Sequence, residues 1–394
     1  MSTHPRTIAM LLGGLALLGP LSVDAYLPAF DNIRDALHTD TQHVQYTLSA
    51  YLFSFAAMSL WHGALADALG RRKVILASLV LFGLASLGCA LAPDIGWLSG
   101  FRTLQGVAAG AGTVVGRAMV RDLYEGAPAA RMLSLVSMIF SLSPAFAPVL
   151  GGWIVTAFAW RAVFIFLSGY TLLLFVFCYR RLPETLAPVH RQPLQVASLV
   201  RSYRSVFMSG GFQRGAAAIA FNFGGLFLFV AAAPAILGRH LGLNASQFAW
   251  QFVPMVGGIF LGSLAADRLS DRLTLRAQIA VGFVILTLGA VANVVYHALL
   301  PPALPWTVTP IFFYAFGMSL AAPGLTLSVL DLFPAIRGVV ASMQAFTMVM
   351  LAALVTALIA PALEHSLVWL ALGQLALSMA GLALWLPSLK ASAA

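Results

Sequence analysis

Twelve stretches of about 20 apolar residues, each long enough to cross a hydrocarbon core at roughly 1.5 Å rise per residue, constrain this chain more than any other feature. They cover approximately residues 8–30, 43–65, 74–92, 97–118, 132–156 and 161–180, then 212–237, 247–266, 276–297, 306–330, 338–360 and 366–387. Within a bilayer every backbone N–H and C=O must find a partner inside the protein, and apolar segments of this length do so as helices. The expected fold is an all-α membrane protein with 12 transmembrane helices. Composition agrees: 60% of the 394 residues are hydrophobic and only 9% charged, too few charges to cover a soluble surface of this size.

The formal net charge of +9 is then a statement about topology and not a nucleic-acid footprint. With both termini in the cytoplasm, basic residues from Arg6 to Lys390 gather in the inner loops, and only Arg34, Arg161 and Arg239 face outward. Cys89 and Cys178 fall inside apolar runs and read as packing residues. Ser/His/Asp groupings, metal-ligand spacing, phosphate-binding glycine loops and Walker sequences do not stand out; His62, His240, His297 and His365 are scattered near span ends. An enzyme or an ATP-driven pump is not indicated, and no cofactor is expected.

A polar, basic loop over residues 181–211 bisects the chain. It separates an N-terminal six-helix bundle, 1–180, from a C-terminal one, 212–394. An echo supports duplication: Gly63-Ala-Leu-Ala-Asp67 with Arg71-Arg72 after span two is matched by Gly262-Ser-Leu-Ala-Ala-Asp267 with Arg268, Asp271 and Arg272 after span eight. Two pseudo-symmetric six-helix halves are a transporter plan, with the substrate site expected between them near the midplane.

Ionisable side chains inside the spans are rare enough to be weighed singly. Asp24 near the outer end of span one and Arg102 in span four are the candidates for proton coupling. Burial and a nearby guanidinium act in opposite senses on a carboxyl group's proton, so an approach of Arg102 to Asp24 would poise the acid to exchange it. Tyr26, Asn222, Phe223, Phe227 and Gln344 are candidate substrate-binding residues, since an apolar, aromatic cavity with few polar groups suits variable lipophilic compounds. Pro144, Pro148, Gly151 and Gly152 in span five suggest a bent, tightly packed pivot. Asp67, Arg71, Arg72, Arg121 and Asp122 suggest an ionic latch joining spans two, three, four and eleven at their cytoplasmic ends, with Gly63 and Gly70 as further gating positions.

Gly63 to Lys73 resembles the cytoplasmic loop signature of the major facilitator superfamily, Arg102 to Gly110 is similar to its span-four drug-efflux motif, and Ser143 to Gly152 to its span-five antiporter motif. Asp24-Ala-Tyr26-Leu27-Pro28, Arg121-Asp122-Leu-Tyr124, Trp160-Arg161, Pro183-Glu184-Thr185-Leu186 and Leu330-Asp331-Leu-Phe333-Pro334 resemble the bicyclomycin and chloramphenicol resistance (Bcr/CflA) branch of drug:H+ antiporters. Ala68 replaces the usual basic residue of the loop signature, and Ala147 the glycine expected before proline in span five. The resemblance implies the major facilitator fold and proton-coupled export of small lipophilic drugs by alternating access. It implies a monomer in the bacterial inner membrane, with drug, protons and lipid as its partners. A proton-coupled symporter importing an organic solute is the alternative on the same scaffold.

Overall fold

The computed structural model describes residues 5–270 and 272–387. The side chain of Arg6, and Asp271 and Lys390 entirely, lie outside that description. Among the described residues the regular structure is helical throughout, and two compact units divide at residues 196 and 197.

In the first unit, α1 (Pro5–Asp24) is followed by a short 3-10 turn, Leu27–Ala29, and α2 (Phe30–Ala36). Span one is therefore not the continuous helix expected over 8–30. Pro28 has no N–H to continue the ladder, and Tyr26 N–H turns back to the Val23 carbonyl at 3.2 Å. Span two comprises α3 (Thr41–Ser59) and α4 (His62–Leu69), bent by 50°. Asp40 caps α3, accepting from the His43 amide at 2.8 Å. Next come α5 (Arg71–Leu91), α6 (Ile95–Ala109), α7 (Ala111–Leu123), α8 (Gly126–Phe158) and α9 (Arg161–Arg181). Span four is thus two helices meeting at Gly110 and not one, and α8 continues through both Pro144 and Pro148.

The second unit takes in most of α10 (Val196–Phe207), then α11 (Gly210–Ala231), α12 (Ala249–Leu269), α13 (Leu275–Leu299), α14 (Thr309–Leu330), α15 (Arg337–Leu354), α16 (Ala360–Leu363) and α17 (Leu367–Trp385). Two π-helical stretches, Ala235–His240 and Val355–Ile359, extend α11 and α15. Ten segments are individually long and apolar enough to cross a membrane, and the bent α3–α4 pair is an eleventh. Of the twelve spans expected, ten or eleven are thus found among the described residues; α6 and α7, over the expected span 97–118, are not among them.

Packing repeats between the units. In the first, span two packs on span four (α3 on α6), three on six (α5 on α9), and one on five (α1 on α8). In the second, eight packs on ten (α12 on α14), nine on twelve (α13 on α17), and seven on eleven (α11 on α15). The same pairings recur with six added to each number, which is the internal duplication anticipated from the Gly63 and Gly262 echo.

Candidate functional site

The Tyr26 amide turns back to Val23 and leaves the Ser22 carbonyl near the end of α1 free of it, and the first unit uses that carbonyl, with the Gly19 carbonyl one turn earlier, to build a polar cluster. Tyr51 in α3 donates to the Gly19 carbonyl at 3.1 Å, and Arg102 in α6 donates through Nη1 to the Ser22 carbonyl at 3.2 Å. Arg102 is fully buried. Its guanidinium carbon lies 4.4 Å from the Tyr26 ring centroid and 4.5 Å from that of Tyr51, so two aromatic faces enclose the cation. Nη1 also donates to Gln105 Oε1 at 2.9 Å, and Gln105 Nε2 donates to Ser86 Oγ at 2.8 Å. Nε and Nη2 have no hydrogen-bond acceptor; the ring faces and the partial negative charge at the α1 C-terminus compensate them instead.

This changes the expected role of two residues. Among the described residues no ion pair joins Asp24 to Arg102, which is committed to aromatic faces and carbonyls. Tyr26, expected against substrate, is fully buried against Arg102, its hydroxyl paired with Thr47 Oγ1 at 2.5 Å and its ring edge-on to Phe30 at 5.1 Å.

Asp24 is the last residue of α1 and is 5% exposed. Ser143 of α8 donates to its Oδ2 at a long 3.4 Å. The same stretch of α8 brings in Gly151, where an added Cβ would collide with the Ala25 carbonyl, so a glycine there lets α8 approach the broken end of α1. Gly152 is buried beside it, while Pro144 lies one residue beyond Ser143 and Pro148 is buried. Asp24 thus sits at a helix break with a hydroxyl beside it and, among the described residues, no cation within ion-pair distance.

A second cluster joins the loop ends of the same unit. Gly70 ends α4 and begins α5 at φ +104°, a conformation that disfavours any side chain, and a Cβ there would meet Glu184 Oε2 at 2.5 Å. Glu184 caps α5 from beyond α9, accepting from the amides of Arg71 at 2.9 Å and Arg72 at 3.3 Å. The Arg71 side chain bridges Asp67 at 2.5 Å and Asp122 at 3.2 Å, and Thr185 donates to Asp122 at 2.7 Å. Arg72 instead donates to the Tyr179 carbonyl at 2.5 Å and lies 5.5 Å from its ring centroid. Arg121 makes no ion pair among the described residues, so the latch is Asp67–Arg71–Asp122 locked by Glu184 and Thr185. Gly63 stands clear of this network, with room for a methyl group beside Val114.

The remaining candidates belong to the second unit. The rings of Phe223 and Phe227 of α11 lie 5.6 Å apart, tilted by 31°. Asn222, 2% exposed, leaves both amide atoms without partners, while its backbone carbonyl accepts from the Tyr314 hydroxyl at 2.9 Å. Gln344 of α15 donates to Thr326 at 3.0 Å and keeps its carbonyl oxygen unpartnered. Asn293 to Gln374 at 2.9 Å, and Gln374 to the Gly225 carbonyl at 3.4 Å, add buried amides from α13 and α17.

Sequence reasoning missed Tyr51, Ser143, Glu184 and Thr185 as site residues. Pro183-Glu184-Thr185-Leu186 was visible as a motif, but nothing local in it says that its acid caps a helix more than a hundred residues upstream.

The sequence matches the model of the Major Facilitator Superfamily over residues 12–357. It is 36% identical over 260 residues to the uncharacterized MFS-type transporter YdgK of Bacillus subtilis, spanning 64% of this chain and 65% of that one, just under two thirds of the relative's length. To the bicyclomycin resistance protein homolog of Haemophilus influenzae it is 30% identical over 278 residues, 70% of each chain. The crystal structure of a D-xylose–proton symporter superposes with a TM-score of 0.73 over 97% of both chains at 15% identity, a likeness of fold. With its repeated six-helix pairing and its loop signature in place, the chain belongs to the major facilitator superfamily and is a membrane transporter, not an enzyme.

Proposed function

We propose that this transporter exports small lipophilic compounds, of the bicyclomycin or chloramphenicol type, in exchange for protons, with Asp24 as the proton-carrying group. The observation that carries the reading is the placement of Asp24: a buried carboxyl at the break of α1, hydrogen-bonded by Ser143 of the span-five segment and without a salt-bridge partner among the described residues. A carboxyl that forms no permanent ion pair is free to take up and release a proton, and that freedom is what coupling requires. The resistance-protein relative supports drug as cargo, and the hydrophobic Phe223–Phe227 pair with the unpartnered Asn222 amide suits a lipophilic compound bearing a polar group.

Arg102 supplies a fixed positive charge in the same unit, immobilised by two tyrosine rings. It biases the local potential without being displaced at each turnover. A proton binds the Asp24 carboxylate from the outer side and leaves to the cytoplasm, while drug moves outward by alternating access. The membrane potential contributes about 2.3 kcal/mol per charge per 100 mV. We place the protein in the inner membrane with both termini cytoplasmic, as the distribution of Lys and Arg among its loops supports.

The test is Asp24→Asn in proteoliposomes. A pH gradient drives drug accumulation by the parent protein and is expected to drive none by the variant, while drug–drug exchange continues. Gradient-driven transport at the parent rate in the variant rejects the assignment; accumulation in the opposite direction favours the symporter.

A further inference from the structure

α10 is 12 residues long, about 18 Å, too short to cross a hydrocarbon core of about 30 Å, and its surface divides into three faces. Val206 is fully buried and Leu199, two turns earlier on the same side, is half-buried, so this face packs on the protein. Ser198, Arg201, Arg204 and Ser205 are exposed and form a polar face, and α10 itself holds no acidic residue. Between these two faces runs an apolar stripe of Val196, Val200 and Phe207 at helical spacing. Val200 is 49% and Phe207 53% exposed, so the stripe is uncovered in the folded chain.

The stripe ends where a spanning segment begins. Only Met208 and Ser209 separate α10 from α11, which is long and apolar enough to cross a membrane from its first residue, Gly210. Three Cα-to-Cα steps of about 3.8 Å keep Phe207 within about 11 Å of that residue. A hydrogen bond shortens the tether further: Gln213 Nε2, in the first turn of α11, donates to the Phe207 carbonyl at 2.8 Å. Met208, exposed in the link, carries the apolar surface of α10 on toward α11. The end of α10 is therefore fixed at the level where span seven enters the bilayer, beside headgroups and not in bulk water. Around the helical wheel Arg204 borders the stripe and Arg201 follows it, while Ser198 and Ser205 lie farthest from the stripe. From Leu186 to Ala266 the sequence contains no Asp or Glu.

We propose that α10 is an interfacial helix whose partner is the lipid surface at the mouth of span seven. Val196, Val200 and Phe207 enter the boundary between headgroups and acyl chains to a depth of about 5–10 Å. Arg204 and Arg201 reach from the edge of the stripe to lipid phosphates, their stems lying along the apolar boundary, and Ser198 and Ser205 face water. A helix that merely bridged two loops through water would be polar wherever it does not pack, and a core helix would carry no arginines beside its apolar face. The sequence of faces on α10, packed, then apolar, then cationic, then hydroxylic, follows the change from protein to acyl chain to phosphate to water.

The experiment is site-directed spin labelling of the full-length protein in phosphatidylcholine liposomes, with one introduced cysteine at a time: Val196→Cys, Ser198→Cys, Val200→Cys or Ser205→Cys. All four positions are exposed, and the native Cys89 and Cys178 are buried. Labels at 196 and 200 are expected to be relaxed by molecular oxygen, which concentrates in acyl chains, and shielded from a water-soluble nickel chelate. Labels at 198 and 205 are expected to show the reverse. Val200→Glu, which sets a charge in the stripe, is expected to abolish the oxygen preference of a label at 196, and an unchanged melting temperature in detergent verifies that this variant folds. Nickel access at 200 equal to that at 205 overturns the proposal. Shielding at 200 from both reagents, the signature of a protein cover such as a second copy, overturns it too, as does an oxygen preference at 196 that survives Val200→Glu.

Discussion

Arg102 shows how a charge survives complete burial without a carboxylate. Ring faces on both sides, the Ser22 carbonyl at a helix C-terminus and the Gln105 amide together replace its hydration. Lysine keeps the charge but has no planar fork to lie between two rings, so Arg102→Lys is expected to cost about 2 kcal/mol. The measurement is the melting temperature in detergent, and an unchanged value removes the two-ring account. That Arg102 matters was legible from its rarity in an apolar span; that it serves Tyr26 and Tyr51 instead of Asp24 was not, because the partners lie 76 and 51 positions away along the chain and each tyrosine looks like packing on its own. Asp24 itself was legible for the same reason as Arg102, whereas Ser143, the group that touches it, is one small hydroxyl among many in span five.

At the scale of elements, hydropathy located the spans and could not see their joints. Gly110 is an ordinary small residue in a small-residue run, yet α6 ends before it and α7 starts after it. The bend between Ser59 and His62 has neither proline nor glycine at its vertex, so its cause is tertiary and not local. The capping of α5 is of the same kind. Losing a cap costs about 1 kcal/mol, so Glu184→Ala is expected to speed hydrogen exchange at the first-turn amides of α5 about five-fold while exchange in the middle of α5 stays as it was. Unchanged exchange at Arg71 and Arg72 shows that the cap carries no stability.

For the whole molecule, the doubled pairing of spans is legible because the loop signature occurs twice, but the divergence of the two copies is not. One copy is sealed by carboxylates from Asp122 and Glu184, whereas in the other Asp331 pairs with Arg337. Orientation in the membrane is open to direct measurement because both native cysteines, Cys89 and Cys178, are buried and give little background. A membrane-impermeant maleimide added to intact cells is expected to label Gln42→Cys, before span two, and to reach Ser205→Cys, in α10, only after permeabilisation. The reverse pattern inverts the assigned topology.

Gly70 is both the last cap of one helix and the first of the next. Consecutive Cα atoms across a trans peptide are about 3.8 Å apart, so there is almost no slack between α4 and α5. A displacement of the bent end of span two is handed directly to span three, as a push on one arm of a crank turns the other, and the carboxylate clipped over the joint decides how far it swings.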